Sequence, residues 1–543
     1  MQLKPITMGK KVLLSGIVVF VIFFESFSQS SVTKTVLTRG PYLQAATNIS
    51  IVVRWRTDVL NRSRVRYGTT DGQLDRKVDD SSLVTEHIVQ LKGLAPGAKY
   101  FYSIGDFRDS LQGNSDNYFY TLPVPGENGV YRVGVFGDCG NNSPNQVQVR
   151  DQFIKYLGNN YMNAWILLGD NAYNTGTDLE YQTKFFNIYK DNLLKKYPLY
   201  PAPGNHDYYD MSLSSKMSSN ELSYFKNFSM PTNGEAGGVP SHNEAFYSFD
   251  IGNIHFISLD SDGRIDKKAM SDTTSVQVQW LKKDLEANQN KGWVVAYWHH
   301  PPYSMGSHNS DKEKDLGRIR ENFIRIVERY NVDIVLCGHS HVYERSKLMK
   351  GYYGMEADFK AETHNVSNSS GLYDGCANSC PYIKNEANTG VVYVVSGSAG
   401  SFGGKQTSFP HDAMFYSNNT EGGAVMLEVE GNRLDLKWIC SDGVIRDRFT
   451  MMKNVNTKNL IKIKKNETVS LTASYVGTYK WSHSTLTTKT IVLSPKIGKS
   501  IITVQDEWGC IKESFEVQVS KYSNGYLYYS LRNIIEFFKS VMV

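Results

Sequence analysis

"NVDIVLCGHSHVYERS", residues 331–346, shows how the middle of this chain is built. The apolar run at residues 334–336 has the length of a buried strand. It stops at Gly338, and two imidazoles follow one residue apart, His339 and His341. The same pattern recurs upstream. "YRVGVFGDCG" ends at Asp138, and "AWILLGDNAY" ends at Asp170 with Tyr173 three residues on. "YPLYPAPGNHD" ends at Asn205, His206 and Asp207, and "GWVVAYWHHPPYS" at His299 and His300. Five times a strand runs into carboxylate, amide or imidazole. In an open α/β sheet the strand C-termini line up where ligands bind, so these side chains are expected to converge.

Between the runs, "VQVRDQFIKYL", "SVQVQWLKKDLEA" and "RIRENFIRIVERY" repeat apolar residues at helical spacing. Strand-helix alternation over residues 130–450 predicts an α/β domain, a sandwich of two sheets flanked by helices. Residues 345–390 are polar and rich in Gly, Ser and Asn, and read as an inserted loop over one face. Residues 36–122 alternate apolar and polar with turns between, which predicts a small antiparallel β-sandwich. "LPVPGENG" (122–129) is a linker. Residues 453–521 are β-like again and resemble an immunoglobulin-like module. The tail 522–543 carries an amphipathic stretch (Leu531, Ile534, Ile535, Phe538, Val541) that could pack on that module, touch a membrane or partner, or serve in export.

The N-terminus reads as a leader. Lys10 and Lys11 precede the 13-residue apolar stretch "VLLSGIVVFVIFF", and a small-x-small site follows at Ser26, Phe27 and Ser28. That stretch is short against the about 20 residues of a membrane span. Residues 1–28 are therefore expected to be a signal peptide cut near Ser28, with an uncleaved anchor as the alternative. The expected location is secreted, periplasmic or on the cell surface. Six cysteines are too scattered for a disulfide scaffold. Cys376 and Cys380 could bridge locally, while Cys139 and Cys337 read as small buried groups. Net charge is +5 without a long basic block, so no nucleic-acid surface is expected.

Asp, Asn, His and Tyr together offer hard-to-borderline oxygen and nitrogen donors, suited to iron, zinc or manganese. Seven candidates exceed the four ligands of a closed zinc site. They suit two ions about 3.5–4 Å apart that share a carboxylate. Read singly, Asp138 and Asp170 could instead be helix N-caps, and Tyr173 a core aromatic.

The order GDxG (137–140), GDxxY (169–173), GNHD (204–207), HxPxY (299–303) and GHxH (338–341) resembles the purple acid phosphatases, within the calcineurin-like metallophosphoesterase superfamily. "RGPYLQ" (39–44), "VRWRTD" (53–58) and "EHIVQLKGL" (86–94) resemble that family's N-terminal, fibronectin type III-like domain. The resemblance implies an exported acid phosphatase with two metal ions, hydrolysing phosphate monoesters by attack of a metal-activated hydroxide on phosphorus. It implies one ion on Asp138, Asp170, Tyr173 and His341, and another on Asp170, Asn205, His299 and His339. Fe(III) is implied beside Tyr173, with Fe(II), Zn or Mn as the second ion. His206 is implied to touch the phosphate, and His308 to contact substrate as a general acid.

Ala296 stands where the family usually has valine, a mild departure. Whether His299 or His300 is the ligand stays open, with the HxP spacing favouring His299. His242, His255, His364 and His411 have no motif context and read as structural. The expected partner is a phosphoester substrate, with the C-terminal module a candidate for a cell-surface or export contact. Two competing readings are a phosphodiesterase or nucleotidase on the same centre, and a non-enzymatic surface binding protein.

Overall fold

The five motif strands fall in two sheets. Val130–Phe136, Ala164–Leu167 and Leu199–Pro201 are parallel neighbours in a 13-stranded sheet. Trp293–Trp298 and Ile334–Cys337 are parallel neighbours in a 7-stranded sheet. The computed structural model describes residue 9 and residues 34–213, 221–264, 268–385 and 389–521. The expected leader and the C-terminal tail lie outside the described residues.

The two motif strands of the smaller sheet are apolar on both faces. Val295, Tyr297, Ile334 and Leu336 face the core between the sheets. Val294, Ala296, Trp298, Val335 and Cys337 face helices instead, against Val278, Leu281, Phe323 and Val327. That double burial accounts for near-continuous apolar runs in place of alternation. Across the inter-sheet core, the Tyr200 and Phe249 rings stack at 3.8 Å.

The helices follow their sequence signals. Pro144–Leu157 begins with a proline after Ser143, whose hydroxyl accepts from the Gln146 N–H, and buries Val149, Phe153 and Leu157. Val276–Ala287 is capped by Ser275 in the same way. Neither Asp138 nor Asp170 is a helix N-cap, since Ser143 and Thr177 hold those places.

The N-terminal strands form an antiparallel group built on the long strand Ser50–Gly68, which pairs with Leu37–Gln44, Arg76–Lys92 and Lys99–Gly105. They are continuous with the larger of the two motif-bearing sheets through the pairing of Gln44 with Leu199. Arg39 and Arg56 of this group both bind Asp178, at 3.0 and 2.8 Å, in the segment that follows Tyr173.

Two expectations are corrected. Residues 345–390 are not simply a loop: Arg345 is fully buried in a bidentate pair with Asp447 (2.6 and 2.8 Å), and Tyr382–Lys384 adds a strand beside Ile445–Lys453. The local Cys376–Cys380 bridge is replaced by Cys380–Cys510, with Cys376 free and exposed. The cause is a turn in which Ser370 and Tyr373 N–H groups bond Asn378 and Ser379 carbonyls, while the Tyr373 hydroxyl donates to Asp506 (3.0 Å). That docking brings Cys380 to Cys510. Cys139 and Cys337 are buried as expected.

Beyond residue 453, a 4-stranded and a 2-stranded sheet enclose their own core of Leu471, Tyr475, Trp481, Ile491, Ile502, Val504, Phe515 and Val517.

Candidate metal centre

Each motif loop leaves its strand sharply. Asp138, Asp170 and His339 take positive φ values of 56°, 51° and 68°, a region that non-glycine residues enter only where the surroundings hold them. Two of the preceding glycines are required by close approach. A Cβ on Gly204 would stand 2.3 Å from Asp170 Oδ1, and one on Gly338 would stand 2.5 Å from Asp138 Oδ2.

The side chains gather in two linked groups. In the first, the Tyr173 hydroxyl donates to Asp138 Oδ1 at 2.8 Å and lies 3.1 Å from His341 Nε2. In the second, His299 Nε2 lies 3.2 Å from Asp170 Oδ2, 3.0 Å from Asn205 Oδ1 and 3.2 Å from His339 Nδ1. Donor atoms of Asp138, Asp170 and His299 all lie within 4.8 Å of one another, so the groups touch. The His339 N–H donates to Asp138 Oδ2 (2.9 Å), closing the link between sheets.

The hydrogen bonds select tautomers. His299 Nδ1 faces the Leu168 carbonyl at 2.9 Å, and a carbonyl only accepts, so Nδ1 carries the proton and Nε2 is turned on Asp170. His300 pairs its Nδ1 with Ser261 Oγ at 2.8 Å, and a nitrogen of its ring also lies within 4.8 Å of nitrogens of His299 and His339. His206 Nδ1 likewise donates to the Asn174 carbonyl (2.5 Å), and its backbone N–H donates to Asp170 Oδ1 (2.8 Å). Burial pushes the Asp138 carboxyl up to about 8, opposed by His299 and reinforced by the charge of Asp170. Burial pushes Asp170 up as well, but the charge and hydrogen bond of His299, with the charges of His206 and His339, together hold it well below its ordinary range. Two carboxylates this close in a dry setting, ringed by imidazole, amide and phenol, are a donor set that fits hard-to-borderline metal ions.

A cavity of about 620 Å³ opens over Asp170, Asn205, His339 and His341, with His206 and His308 in its walls. The His308 ring packs at a tilt against His339, centroids 3.7 Å apart, and its Nδ1 lies 2.9 Å from Glu313 Oε2. A larger cavity, about 820 Å³, lies by Val130, Gly292 and Asn331 at the other ends of the strands and contains no motif residue. All seven candidate ligands, with His206 and His308, are thus brought to one place.

Sequence reasoning missed Glu313, which stands between His308 and His339 (3.6 Å from His339 Nε2). Nothing in the string "DKEKD" sets it apart from a solvated charge run. Asp207 was seen within GNHD but given no firm role. It is fully buried and accepts from Gly204 N–H, Asn171 N–H and the Tyr181 hydroxyl (2.8, 3.0 and 2.6 Å), pinning the loops that carry Asp170 and Asn205.

Residues 131–343 match the family model described as calcineurin-like phosphoesterase. Residues 41–121 match the purple acid phosphatase N-terminal domain. Over 292 residues the chain is 30% identical to purple acid phosphatase 15 of Arabidopsis thaliana, covering 49% of this chain and 50% of that protein. It is 27% identical over 320 residues to acid phosphatase type 7 of Homo sapiens, covering 54% and 67%. The match thus spans only half the length of the Arabidopsis relative. Among solved structures, a purple acid phosphatase from yellow lupin seeds shares the fold, with a TM-score of 0.57, 21% identity, and coverage of 76% of this chain and 75% of that one.

Proposed function

We infer that this chain, whose residues 41–343 carry the paired domains of the purple acid phosphatase family, is a metal-dependent phosphoric ester hydrolase that cleaves phosphate monoesters. The observation that carries the reading is the approach of Asp138, Asp170 and His299 donor atoms to within 4.8 Å, from strand tips of two different sheets. Asp138, Asp170, Tyr173 and His341 would hold one ion, and Asp170, Asn205, His299 and His339 the other. The phenol of Tyr173 suits Fe(III), with Fe(II), Zn or Mn beside it. Two such cations, when bound, supply the charge that polarises a phosphoryl oxygen and acidifies a water.

The chain's own groups supply the rest. With its Nδ1–H committed to the Asn174 carbonyl, His206 would meet a phosphate oxygen through an Nε2–H, the ring then carrying both protons. His308, backed by the Glu313 carboxylate, can carry a proton on each nitrogen and give the Nε2 proton to the departing alkoxide. His299 is oriented by the Leu168 carbonyl, as ligating imidazoles commonly are by a partner on their other nitrogen. The leader-like residues 1–28 support export. An immunoglobulin-like identity for residues 453–521 fits their two packed sheets.

The test is a substrate panel on pure, metal-replete protein. Hydrolysis of aryl and alkyl monoesters well above that of diesters is expected. Diester hydrolysis outrunning monoester hydrolysis would replace this reading by a phosphodiesterase. Inertness toward both, with two metals bound, would end it.

A further inference from the structure

The positive charge of this protein is gathered in one place. Residues 453–521 hold eleven lysines, no arginine and five acidic residues, a net +6, whereas the whole chain is +5. The rest of the chain together is slightly acidic. Two of the five acids are also lost to the surface. Asp506 and Glu513 are fully buried, accepting hydrogen bonds from Ile511 N–H and Ser474 N–H.

The sheet register shows where the lysines go. Lys458–Lys464 pairs in parallel with Lys512–Ser520, which pairs antiparallel with Gly498–Gln505. Successive side chains point to opposite faces. One face is the module's core, with Ile502, Val504, Phe515, Val517 and Val519. The other carries Lys458, Lys462, Lys464, Lys499 and Lys512, all exposed. In its middle Leu460 and Ile501 flank Glu516 in one row and are 57% and 64% exposed. Glu516 is paired with Lys499 at 3.1 Å.

We propose that this face docks the protein on an anionic lipid surface, the lysines lying over the headgroups and Leu460 and Ile501 entering among them. Each lysine near such a surface adds attraction that salt screens, and exposed aliphatics among lysines match the interfacial pattern. The face is poorly made for nucleic acid, which is read by arginine forks and aromatic stacking. The module has no arginine, and this face turns no aromatic outward. The inference does not depend on the chemistry of the metal centre.

The test is sedimentation of the full protein with phosphatidylglycerol–phosphatidylcholine vesicles and with phosphatidylcholine alone. Binding to the anionic vesicles about ten-fold or more above the neutral ones, lost at about 0.5 M salt, is expected. At low salt, changing Lys458, Lys462, Lys464 and Lys499 to Gln should bring binding down by about 100-fold or more, toward the level on neutral vesicles, with hydrolysis of a soluble monoester and the unfolding temperature unchanged. Leu460→Ser with Ile501→Ser should weaken vesicle binding at unchanged charge. Equal binding to neutral vesicles, or none to either, overturns the proposal. So does binding that the aliphatic pair does not affect while duplex DNA binds as tightly, since the face would then serve a polyanion.

Discussion

His299 Nε2 stands 3.2 Å from Asp170 Oδ2, which joins the tip of Trp293–Trp298 in one sheet to the tip of Ala164–Leu167 in the other. The Leu168 carbonyl, one residue past that second strand, takes the Nδ1 proton of the same ring. The strand that presents Asp170 therefore also dictates which nitrogen of His299 faces it. Orientation and charge come from one piece of backbone, so the centre should be sensitive to shifts that remove no donor.

Gly204→Ala tests that sensitivity. The added Cβ would meet Asp170 N and Oδ1 at 2.3 Å, and backbone cannot yield as a side chain would. Monoester hydrolysis should fall about 100-fold or more, the scale on which misplacement of about 1 Å acts. Activity within two-fold of the parent would show that the loop has room the geometry denies.

Tyr173→Phe removes a hydroxyl that donates to Asp138 and lies against His341. The iron-loaded parent should absorb visible light through a phenolate-to-iron transition, and the variant should not. An unchanged visible spectrum would remove Tyr173 from the ligand set.

His308→Ala should separate substrates by leaving group. Alkyl monoesters need a proton on the departing oxygen, and their kcat should fall about 100-fold. p-Nitrophenyl phosphate, whose leaving group departs without one, should lose much less. Equal losses on both, with metal content intact, would make His308 a binding group and not an acid.

His255 predicts a pH dependence of stability far from the centre. It is fully buried between Asp250 Oδ1 (2.8 Å) and Asp284 Oδ2 (2.7 Å). Burial alone would lower its pKa, but the two carboxylates override that and raise it to about 9. A folded-state value above the unfolded one gives stability that is complete below about pH 6.5 and lost as pH rises through about 9. The unfolding temperature should therefore fall across that window. His255→Gln should lower it already at pH 6, by the equivalent of about 3 kcal/mol, and flatten the window. A parent with constant stability from pH 6.5 to 9.5 would contradict the assignment.

Much of this was legible because a donor sits at each of five strand ends, directly after a glycine at four of them, where the chemistry is local in sequence. The helices Pro144–Leu157 and Val276–Ala287 were legible from the same kind of local signal, their apolar spacing. What depended on distant pairing was not. Nothing in the residues around Gln44 says that it will pair with Leu199 and fuse the N-terminal strands to the catalytic sheet. Cysteine spacing cannot give connectivity, so the nearby Cys376 looked a better partner for Cys380 than Cys510. Arg345 fell within the segment read as an inserted loop, since its partner Asp447 lies 102 residues away. Glu313 was hidden in a charge run because its meaning comes only from His308 and His339 lying over it.

The central claim is that seven side chains from five strand tips form one two-ion site in which Asp170 is shared. Elemental analysis of the purified chain beside Asp170→Asn tests it most directly. The account predicts about two metal ions per chain in the parent, iron among them, and loss of both ions together with activity in the variant. A parent that binds no metal, or a variant that keeps both ions, would contradict it.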